Sequence, residues 1–289
     1  KITIPLEYDD AGDYFVEGLV SVKRDGKWGV VDKTGKIIIP IEYDGWIDYG
    51  NCLLMKKKSK WNIVNKAEKT IVQVNDFDNL VFREGLALVQ NCGLHGFIDM
   101  DGKEIVPLEY DEANHFSEGI AVVSEGIVHG TRKWGCIDKT GKFVVPFVLE
   151  YDSIGYFKEG LAVVKKDDKC GCIDKTGKLV VPVEYDEVLR SGDSILGVKI
   201  NGKWGCIDKT GKFVVPVEYD NFPRFSDGLA WVKKGGKWGC IDSNGNVVVP
   251  VELKYDRIGF FSENLTWVKK DGKWGCIDKN GKVAVPLEY

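Results

Sequence analysis

The sequence predicts an all-β protein made of tandem three-stranded antiparallel meanders of about 36 residues each. A ten-residue pattern, K-W-G-x-I-D-K-T-G-K, recurs in eight copies along the 289 residues. The runs beside each copy are rich in Val, Ile, Trp, Tyr and Phe, whereas Gly, Asp, Asn and Lys bound them, as is typical of strands and turns. We predict that the meanders form a β-propeller-like toroid, with an open β-superhelix or solenoid as the alternative.

The repeat organises the whole chain into one predicted domain, residues 1–289. The Trp of the pattern stands at Trp28, Trp61, Trp134, Trp204, Trp238 and Trp274, with His95 and Cys170 in its place in the other two copies. The eight repeats span approximately residues 10–43, 44–77, 78–110, 111–151, 152–185, 186–219, 220–255 and 256–289. Residues 1–9 read as an additional third-strand segment. That extra strand leaves both a closed ring and an open arc possible.

Each repeat supplies three strands in order. A run such as LAVVKK is the first strand, KWGCID is the second and KFVVPVEY is the third. The D-K-T-G turn between the second and third strands has a physical rationale. Its Asp can accept hydrogen bonds from backbone N–H groups ahead of it, and its Gly supplies a left-handed conformation. Asn264 replaces the Gly of F-x-E-G in the last copy. Asparagine is the non-Gly residue type that best tolerates positive φ.

The combination of W-G-x-I-D-x-x-G-K, I/V-P-x-x-Y-D and F-x-E-G-L-A resembles the WG repeat, also called the KWG repeat, of bacterial proteins. The resemblance covers essentially the whole chain and implies a repeat fold and a bacterial source. It implies no activity and no site residues. The second copy departs from the pattern, since Asn62, Asn65, Glu68 and Phe77 replace its Gly, Asp, turn Gly and Tyr.

Composition excludes several functions. The net charge is −4 and charges of both signs alternate, so we expect no nucleic-acid binding. No stretch of 18 apolar residues exists, so we expect no membrane insertion. The segment has no signal peptide and opens at Lys1 without a Met, which is compatible with a piece of a longer protein. Cytoplasmic and secreted or cell-surface locations are not distinguished, nor is the oligomeric state.

The reactive side chains favour structural roles. Five cysteines, Cys136, Cys172, Cys206, Cys240 and Cys276, share one repeat position and are expected to be small buried hydrophobes; the sequence does not decide whether they are free. The recurring acids are isolated, which favours turn capping over calcium binding. Cys92 and His95 form half of a zinc signature without a second pair. The motifs of hydrolases, nucleotide-binding proteins and metalloproteases are missing, so we expect no catalytic, cofactor or metal site and no enzyme.

A binding surface is expected where one repeat departs from its siblings. Residues 124–133 lengthen the first hairpin of the fourth copy and contain His129 and Arg132. The irregular second copy contains Trp46. Trp231 and Trp267 replace a Val of the first strand and are candidates for exposed aromatic side chains. We predict a non-enzymatic scaffold or protein-interaction module; the alternative is a carbohydrate-binding module at a cell surface, with a glycan as partner.

Overall fold

The computed structural model describes residues 7–50, 52–58, 60–67, 70–74, 80–128, 131–148, 151–192 and 194–288. Over these residues the regular secondary structure is entirely β-strand, which confirms the all-β prediction. None of the described segments is a helix of the length and hydropathy that a bilayer crossing requires. The chain forms two compact units, Lys1–Val148 and Leu149–Tyr289. The single domain of the sequence analysis stays a prediction.

Unit 1 contains four antiparallel sheets in chain order. Sheet 1 consists of β1 (Asp10–Ala11), β2 (Leu19–Arg24), β3 (Lys27–Asp32) and β4 (Ile37–Tyr43). Sheet 2 consists of β5 (Gly45–Asp48), β6 (Cys52–Lys57), β7 (Lys60–Asn65) and β8 (Thr70–Val74). Sheet 3 consists of β9 (Phe82–Arg83), β10 (Leu86–Asn91), β11 (Leu94–Asp99) and β12 (Glu104–Tyr110). Sheet 4 consists of β13 (Glu112–Ala113), β14 (Ile120–Val128), β15 (Thr131–Asp138) and β16 (Phe143–Val148).

Unit 2 contains the other four sheets. Sheet 5 consists of β17 (Ser153–Ile154), β18 (Leu161–Lys166), β19 (Lys169–Asp174) and β20 (Leu179–Tyr185). Sheet 6 consists of β21 (Glu187–Gly192), β22 (Ile195–Ile200), β23 (Lys203–Asp208) and β24 (Phe213–Tyr219). Sheet 7 consists of β25 (Leu229–Lys234), β26 (Lys237–Asp242) and β27 (Val247–Leu253). Sheet 8 consists of β28 (Arg257–Ile258), β29 (Leu265–Lys270), β30 (Lys273–Asp278) and β31 (Val283–Val285).

The tandem antiparallel meanders are confirmed, but most of the sheets have four strands where the sequence predicts three. Only sheet 7 has three strands among the described residues. The additional strand precedes the predicted ones and pairs with the first of them; in five sheets it is only two residues long. A two-residue strand has no hydrophobic alternation to detect. A four-stranded antiparallel sheet is the unit of β-propellers. The choice between a toroid and an open superhelix stays a prediction.

The W-G dipeptide and the downstream Pro form one structural device. In sheet 6, Trp204 of β23 pairs with Tyr219 of β24, but Cys206 pairs with Val215. Two residues of β23 therefore correspond to four residues of β24, and β24 bulges between these partners. A Cβ atom at Gly205 would lie 2.7 Å from the carbonyl oxygen of Val215. This is closer than a Cβ atom can approach, and a backbone oxygen cannot move aside as a flexible side chain could. Proline is tolerated at bulges because its missing N–H interrupts no ladder there. Gly205 therefore leaves space for the bulge in β24, the strand that contains Pro216.

Sheet 2 confirms this coupling by lacking all three features. Its partners run from Trp61 and Val74 to Asn65 and Thr70 without a register shift. Asn62 replaces the Gly, and no Pro occurs in β8. A side chain is tolerated at position 62 because the third strand follows a regular ladder beside it.

The predicted D-K-T-G turns are confirmed. In sheet 6, Oδ1 of Asp208 accepts hydrogen bonds from Thr210 N at 2.8 Å and Lys212 N at 3.1 Å. Gly211 has φ +87° and its N–H donates to the Asp208 carbonyl oxygen. Asn264 has φ +64°, which confirms the reason given for its replacement of Gly.

Consecutive sheets within each unit pack through apolar side chains. In unit 1, Ile39 of sheet 1 lies in one buried cluster with Leu53 and Met55 of sheet 2. In unit 2, Val181 of sheet 5 shares a cluster with Val198 of sheet 6. We call the space between two consecutive sheets of a unit a joint. Because every joint uses the same repeat positions, joints can be compared residue by residue.

Candidate functional site

The Asp of E-Y-D has a structural role in several repeats. Asp186 illustrates it: one carboxylate oxygen accepts from Asn201 N at 2.7 Å, and the other accepts from Lys169 Nζ of the preceding repeat at 2.5 Å. The hydrogen bond from Lys169 is the main reason that the pKa of Asp186 is lowered. Asp152 and Asp256 cap the equivalent turns through the backbone N–H of Asp167 and Asp271. These contacts are the turn capping predicted from the sequence.

The Glu of F-x-E-G connects neighbouring repeats at the other end of the sheets. Glu84 accepts hydrogen bonds from the backbone N–H groups of Glu118 and Gly119 at 2.6 and 2.9 Å, and it pairs with Lys139 at 3.1 Å. Together these contacts lower the pKa of Glu84, although its partial desolvation acts in the opposite direction and is the largest single contribution. Its carboxylate is thereby occupied by the next repeat. No three His, Cys, Asp or Glu side chains of the described residues converge to hold a metal ion.

The cysteines are free, and the five that share a repeat position are buried, as predicted. Burial raises the pKa of Cys136, Cys172, Cys206 and Cys240 to about 12. A thiol with such a pKa is almost entirely protonated at neutral pH and is a poor nucleophile.

The tryptophans of the repeat pattern do not present a free aromatic row. Each of Trp28, Trp61, Trp204, Trp238 and Trp274 has the ammonium group of its cross-strand Lys partner 5.3–5.5 Å from the ring centroid. The register explains this, because a Lys stands directly opposite each of these rings, as Lys199 does opposite Trp204. A Lys ammonium group therefore lies over each of these five indole rings, and less ring surface is left for a sugar to stack on.

The expectation that Trp231 is an exposed aromatic is wrong. Its side chain is 6% exposed and stacks on Phe261 of the next repeat, with ring centroids 5.0 Å apart and planes 15° apart. The sequence could not reveal this burial, because the residue that covers Trp231 comes from the following repeat.

Trp267 occupies the same repeat position as Trp231 but is 57% exposed, as expected. Leu265 (40% exposed) stands two residues before it on the same face of β29, and Phe260 (65% exposed) belongs to the backbone segment that runs beside β29. The backbone N–H of Gly259 donates to the carbonyl oxygen of Trp267, and Ser262 and Leu265 form a β-bridge, so residues 259–262 run beside 265–267. We call Phe260, Leu265 and Trp267 the repeat-eight patch.

The predicted insertion in the fourth copy extends a hairpin rather than forming a free loop. Residues up to Val128 belong to β14 and residues from Thr131 belong to β15, with an irregularity between Glu125 and Ile127. The guanidinium group of Arg132 is ion-paired with the carboxylate of Glu112. His129 lies outside the described residues. Arg132 belongs to sheet 4 and Trp46 belongs to sheet 2.

Trp46 lines a cavity of about 200 Å³ in the joint between repeats one and two. We call this the 1–2 cavity. Its polar and aromatic lining comes from Asp13, Tyr14 and Ser21 of repeat one and from Trp46, Asp48 and Lys66 of repeat two. Trp46 is half-buried and packs edge-on against Trp28 at 5.7 Å between centroids.

An ion pair between a buried lysine and a partly exposed aspartate lies in the cavity lining with Trp46. Lys66 is 3% exposed, and its ammonium group donates to Oδ1 of Asp48 at 2.6 Å. The same oxygen accepts from Gly50 N at 2.8 Å. Asp48 lies four residues before the first residue of β6, where Phe82, Phe116 and Phe157 stand relative to β10, β14 and β18. A carboxylate in place of a core Phe was a signal available in the sequence, and our prediction missed it.

The joint between repeats seven and eight shows what the same positions hold elsewhere. Trp231 takes the place of Ser21, Phe261 that of Asp48 and Gly259 that of Trp46. The stacked rings of Trp231 and Phe261 fill this joint and leave a cavity of about 80 Å³, the 7–8 cavity. The 1–2 cavity is therefore larger and contains an ion pair, because a small and a charged residue replace two large aromatic ones.

These features define a protein of tandem antiparallel β-repeats. The model of the WG containing repeat matches residues 1–28, 28–61, 96–126, 134–170, 171–204, 204–238, 238–274 and 274–289. The chain therefore belongs to the WG-containing repeat family, which confirms the resemblance found in the sequence.

Two solved structures illustrate the fold comparison. The crystal structure of a eukaryotic initiation factor is 14% identical over 98% of this chain and 87% of that chain, with a TM-score of 0.50. Hsv2 of Kluyveromyces lactis is 12% identical over 92% of this chain and 96% of that chain, with a TM-score of 0.37. At 14% identity, the similarity to the initiation factor concerns the fold alone. No curated protein matches the sequence.

Proposed function

We propose that this chain is a non-enzymatic β-repeat scaffold that binds another protein through the repeat-eight patch. The observation that carries the proposal is the exposure of Phe260, Leu265 and Trp267 in a chain whose other first strands bury the equivalent of Trp267 or cover most of it. Leu265 and Trp267 share one face of β29, and contiguous exposed apolar side chains are characteristic of protein-interaction sites.

The composition of the patch fits a protein partner. Aromatic residues and Arg carry most of the binding energy in protein interfaces. The guanidinium group of Arg224 lies 5.0 Å from the ring centroid of Phe260, so an Arg is available beside the aromatic side chains. The patch therefore combines the residue types from which interface hot spots are built.

The non-enzymatic part of the proposal rests on how the reactive side chains are used. The repeat carboxylates cap turns and connect repeats, as Asp186 and Glu84 do. The thiols of Cys136, Cys172, Cys206 and Cys240 are held in the protonated state by burial. Side chains committed in this way are poor candidates for nucleophiles and general bases.

A carbohydrate-binding module based on a row of tryptophans is less well supported. Trp231 is buried, and the lysines lie over five of the pattern rings. Trp267 is the best exposed of the candidate rings.

The proposal is tested by site-specific photo-crosslinking with a benzophenone side chain at position 267 in the source cells. The matched control carries the probe at Tyr156, which is 60% exposed and precedes the core Phe157 as Phe260 precedes Phe261. We expect one protein to be crosslinked from position 267 and not from position 156. Its purified form should bind the chain, and Trp267→Ala should weaken that binding by at least about 2 kcal/mol, or roughly 30-fold. Equal crosslinking from both positions, or an unchanged affinity, would contradict the proposal.

A further inference from the structure

We propose that the 1–2 cavity is a binding site for a small neutral polyhydroxylated molecule of the size of a monosaccharide. This inference does not depend on the proposed protein partner, because the cavity lies in unit 1 and the repeat-eight patch lies in unit 2. Three features of the 1–2 cavity point to such a ligand, namely its size, its ion pair and its difference from the 7–8 cavity.

The volume limits the ligand. The 1–2 cavity measures about 200 Å³. Cavities of about 150 Å³ admit a benzene ring, whereas drug-sized ligands occupy roughly 300–1,000 Å³. A single six-membered ring with small substituents is therefore the appropriate size.

The ion pair defines the chemistry of the ligand. The ammonium group of Lys66 has three N–H donors, and its hydrogen bond to Asp48 uses one of them. The Oδ2 atom of Asp48 is a further acceptor in the same lining. A hydroxyl group can accept from the ammonium and donate to the carboxylate, so neighbouring hydroxyl groups match this pair without breaking it.

The charge balance favours a neutral ligand. Asp48 and Lys66 already neutralise each other at 2.6 Å. A charged ligand would bring a second, uncompensated charge into a site where Lys66 is 3% exposed, and burial of an unpaired charge is unfavourable. Trp46 supplies an aromatic surface, against which the apolar face of a sugar ring can pack.

The comparison of the two joints indicates that the polar lining is not required by the fold. The stacked Trp231 and Phe261 close the equivalent joint in unit 2 with apolar side chains. Lys66 is buried while the Asp48 side chain is 29% exposed, and the cost of desolvating the lysine offsets most of the attraction, so the pair is not explained by stability. Ligand binding gives that pair, together with the small Ser21, a reason to be present.

The experiment is a calorimetric titration of the whole chain with D-glucose, D-galactose, D-mannose and myo-inositol. D-Glucuronate and D-glucosamine serve as charged probes of the same ring size. We expect at least one neutral probe to bind with a Kd below about 10 mM and both charged probes to bind more weakly. The proposal is overturned if no neutral probe binds in that range or if a charged probe binds more tightly than every neutral one.

Variants locate the site. Ser21→Trp introduces the residue that fills the 7–8 joint and should abolish binding, whereas Ser21→Ala leaves the cavity open and should retain it. The double variant Asp48→Leu with Lys66→Met replaces the ion pair by apolar side chains and should weaken binding by about 10- to 100-fold while preserving the fold. Circular dichroism confirms that each variant is folded.

Trp267→Ala separates this proposal from the proposed function, because that change should leave probe binding unaltered. Retention of binding in the Ser21→Trp variant and in the double variant would place the ligand elsewhere and refute the inference.

Discussion

The joint between repeats one and two and the joint between repeats seven and eight use the same backbone positions for different purposes. In the second of these, Trp231 stacks on Phe261 and fills the space. In the first, Ser21 and Asp48 stand at those positions, and a larger cavity with an ion pair remains. Two side chains therefore decide whether a joint of this fold is a closed core or a lined cavity.

The same contrast appears inside the sheets. Sheet 6 combines Gly205, the bulge and Pro216, whereas sheet 2 lacks the Gly, the bulge and the Pro together. Repeat two differs from its siblings at both its sheet and its joint. Its departure from the consensus is a coordinated structural change rather than a scatter of independent substitutions.

The largest expected effect comes from moving the residue of the first joint into the second. Phe261→Asp removes a stacked aromatic ring and places a carboxylate at a position that is 6% exposed, opposite no inward lysine, since Lys279 is exposed. We expect the free energy of unfolding to fall by at least about 4 kcal/mol, measured by urea denaturation. The matched control is Phe260→Asp at the neighbouring exposed position, where the change should be within about 0.5 kcal/mol. Equal effects at both positions would contradict the assignment of Phe261 to the core.

Trp231→Ser should enlarge the 7–8 cavity toward the size of the 1–2 cavity. The lost stacking and the new void should lower the free energy of unfolding by about 3 kcal/mol. Urea denaturation measures the loss, and Trp267→Ser is the control, for which a change within about 0.5 kcal/mol is expected because its ring is 57% exposed. A small effect of Trp231→Ser would mean that neighbouring side chains collapse into the space.

Gly205→Asn transfers the residue of sheet 2 into a bulged sheet. Its Cβ atom would approach the carbonyl oxygens of Val215 and Pro216 to 2.7 and 2.8 Å, so we expect a loss of about 2 kcal/mol in the free energy of unfolding. The reciprocal change, Asn62→Gly, should cost only about 1 kcal/mol, from the greater freedom of glycine in the unfolded chain. Thermal and urea unfolding of the two variants compare these values, and a larger loss in Asn62→Gly would refute the bulge argument.

The smallest expected effect is on the pH dependence of the free energy of unfolding. Hydrogen bonds from Thr210 and from the backbone hold the pKa of Asp208 below the usual value of an aspartate, whereas Asn65 provides no carboxylate in the turn of sheet 2. Because the folded pKa is the lower one, this stabilisation is complete above the unfolded pKa and is lost as the pH falls through the folded pKa. Asp208→Asn should therefore reduce the loss of stability between about pH 6 and about pH 3, measured by urea denaturation at both pH values. Asn65→Gln, which changes no carboxylate, should leave that difference unchanged.

The sequence predicts the parts of this structure that local chemistry determines. The turn Asp208 to Gly211 and the positive φ of Asn264 follow from residue type and spacing alone. The added first strands were missed, because two residues such as Phe82–Arg83 carry no periodic signal. The third strand was recognised, but its bulge was not, although the repeated Gly and Pro are its cause.

The candidate sites were harder to predict, because they depend on neighbouring repeats. Trp231 and Trp267 share a sequence context, yet the former is stacked on Phe261 and 6% exposed, whereas the latter is 57% exposed. Trp46 was named as a candidate because repeat two departs from the pattern, whereas Asp48 and Lys66, which line the same cavity, were not named. Aligning Asp48 with the core Phe of the other copies would have identified the substitution, and only the three-dimensional structure reveals that Lys66 turns inward to meet it.

The contacts of Glu84 with the turn of the next repeat have a consequence for how such a gene changes. Glu159 makes the same kind of contact with Ser194 and Lys209, 35 residues and 50 residues further along. Because one repeat recognises the next through shared positions, unequal recombination that removes a copy rejoins surfaces that still fit. Loss of repeat two is different, since it brings Ser21 opposite Phe82 and eliminates the Asp48–Lys66 pair. Arrays of this kind can therefore lose a copy and keep matching surfaces between the remaining repeats. The exception is a copy such as repeat two, whose joint depends on side chains specific to that copy.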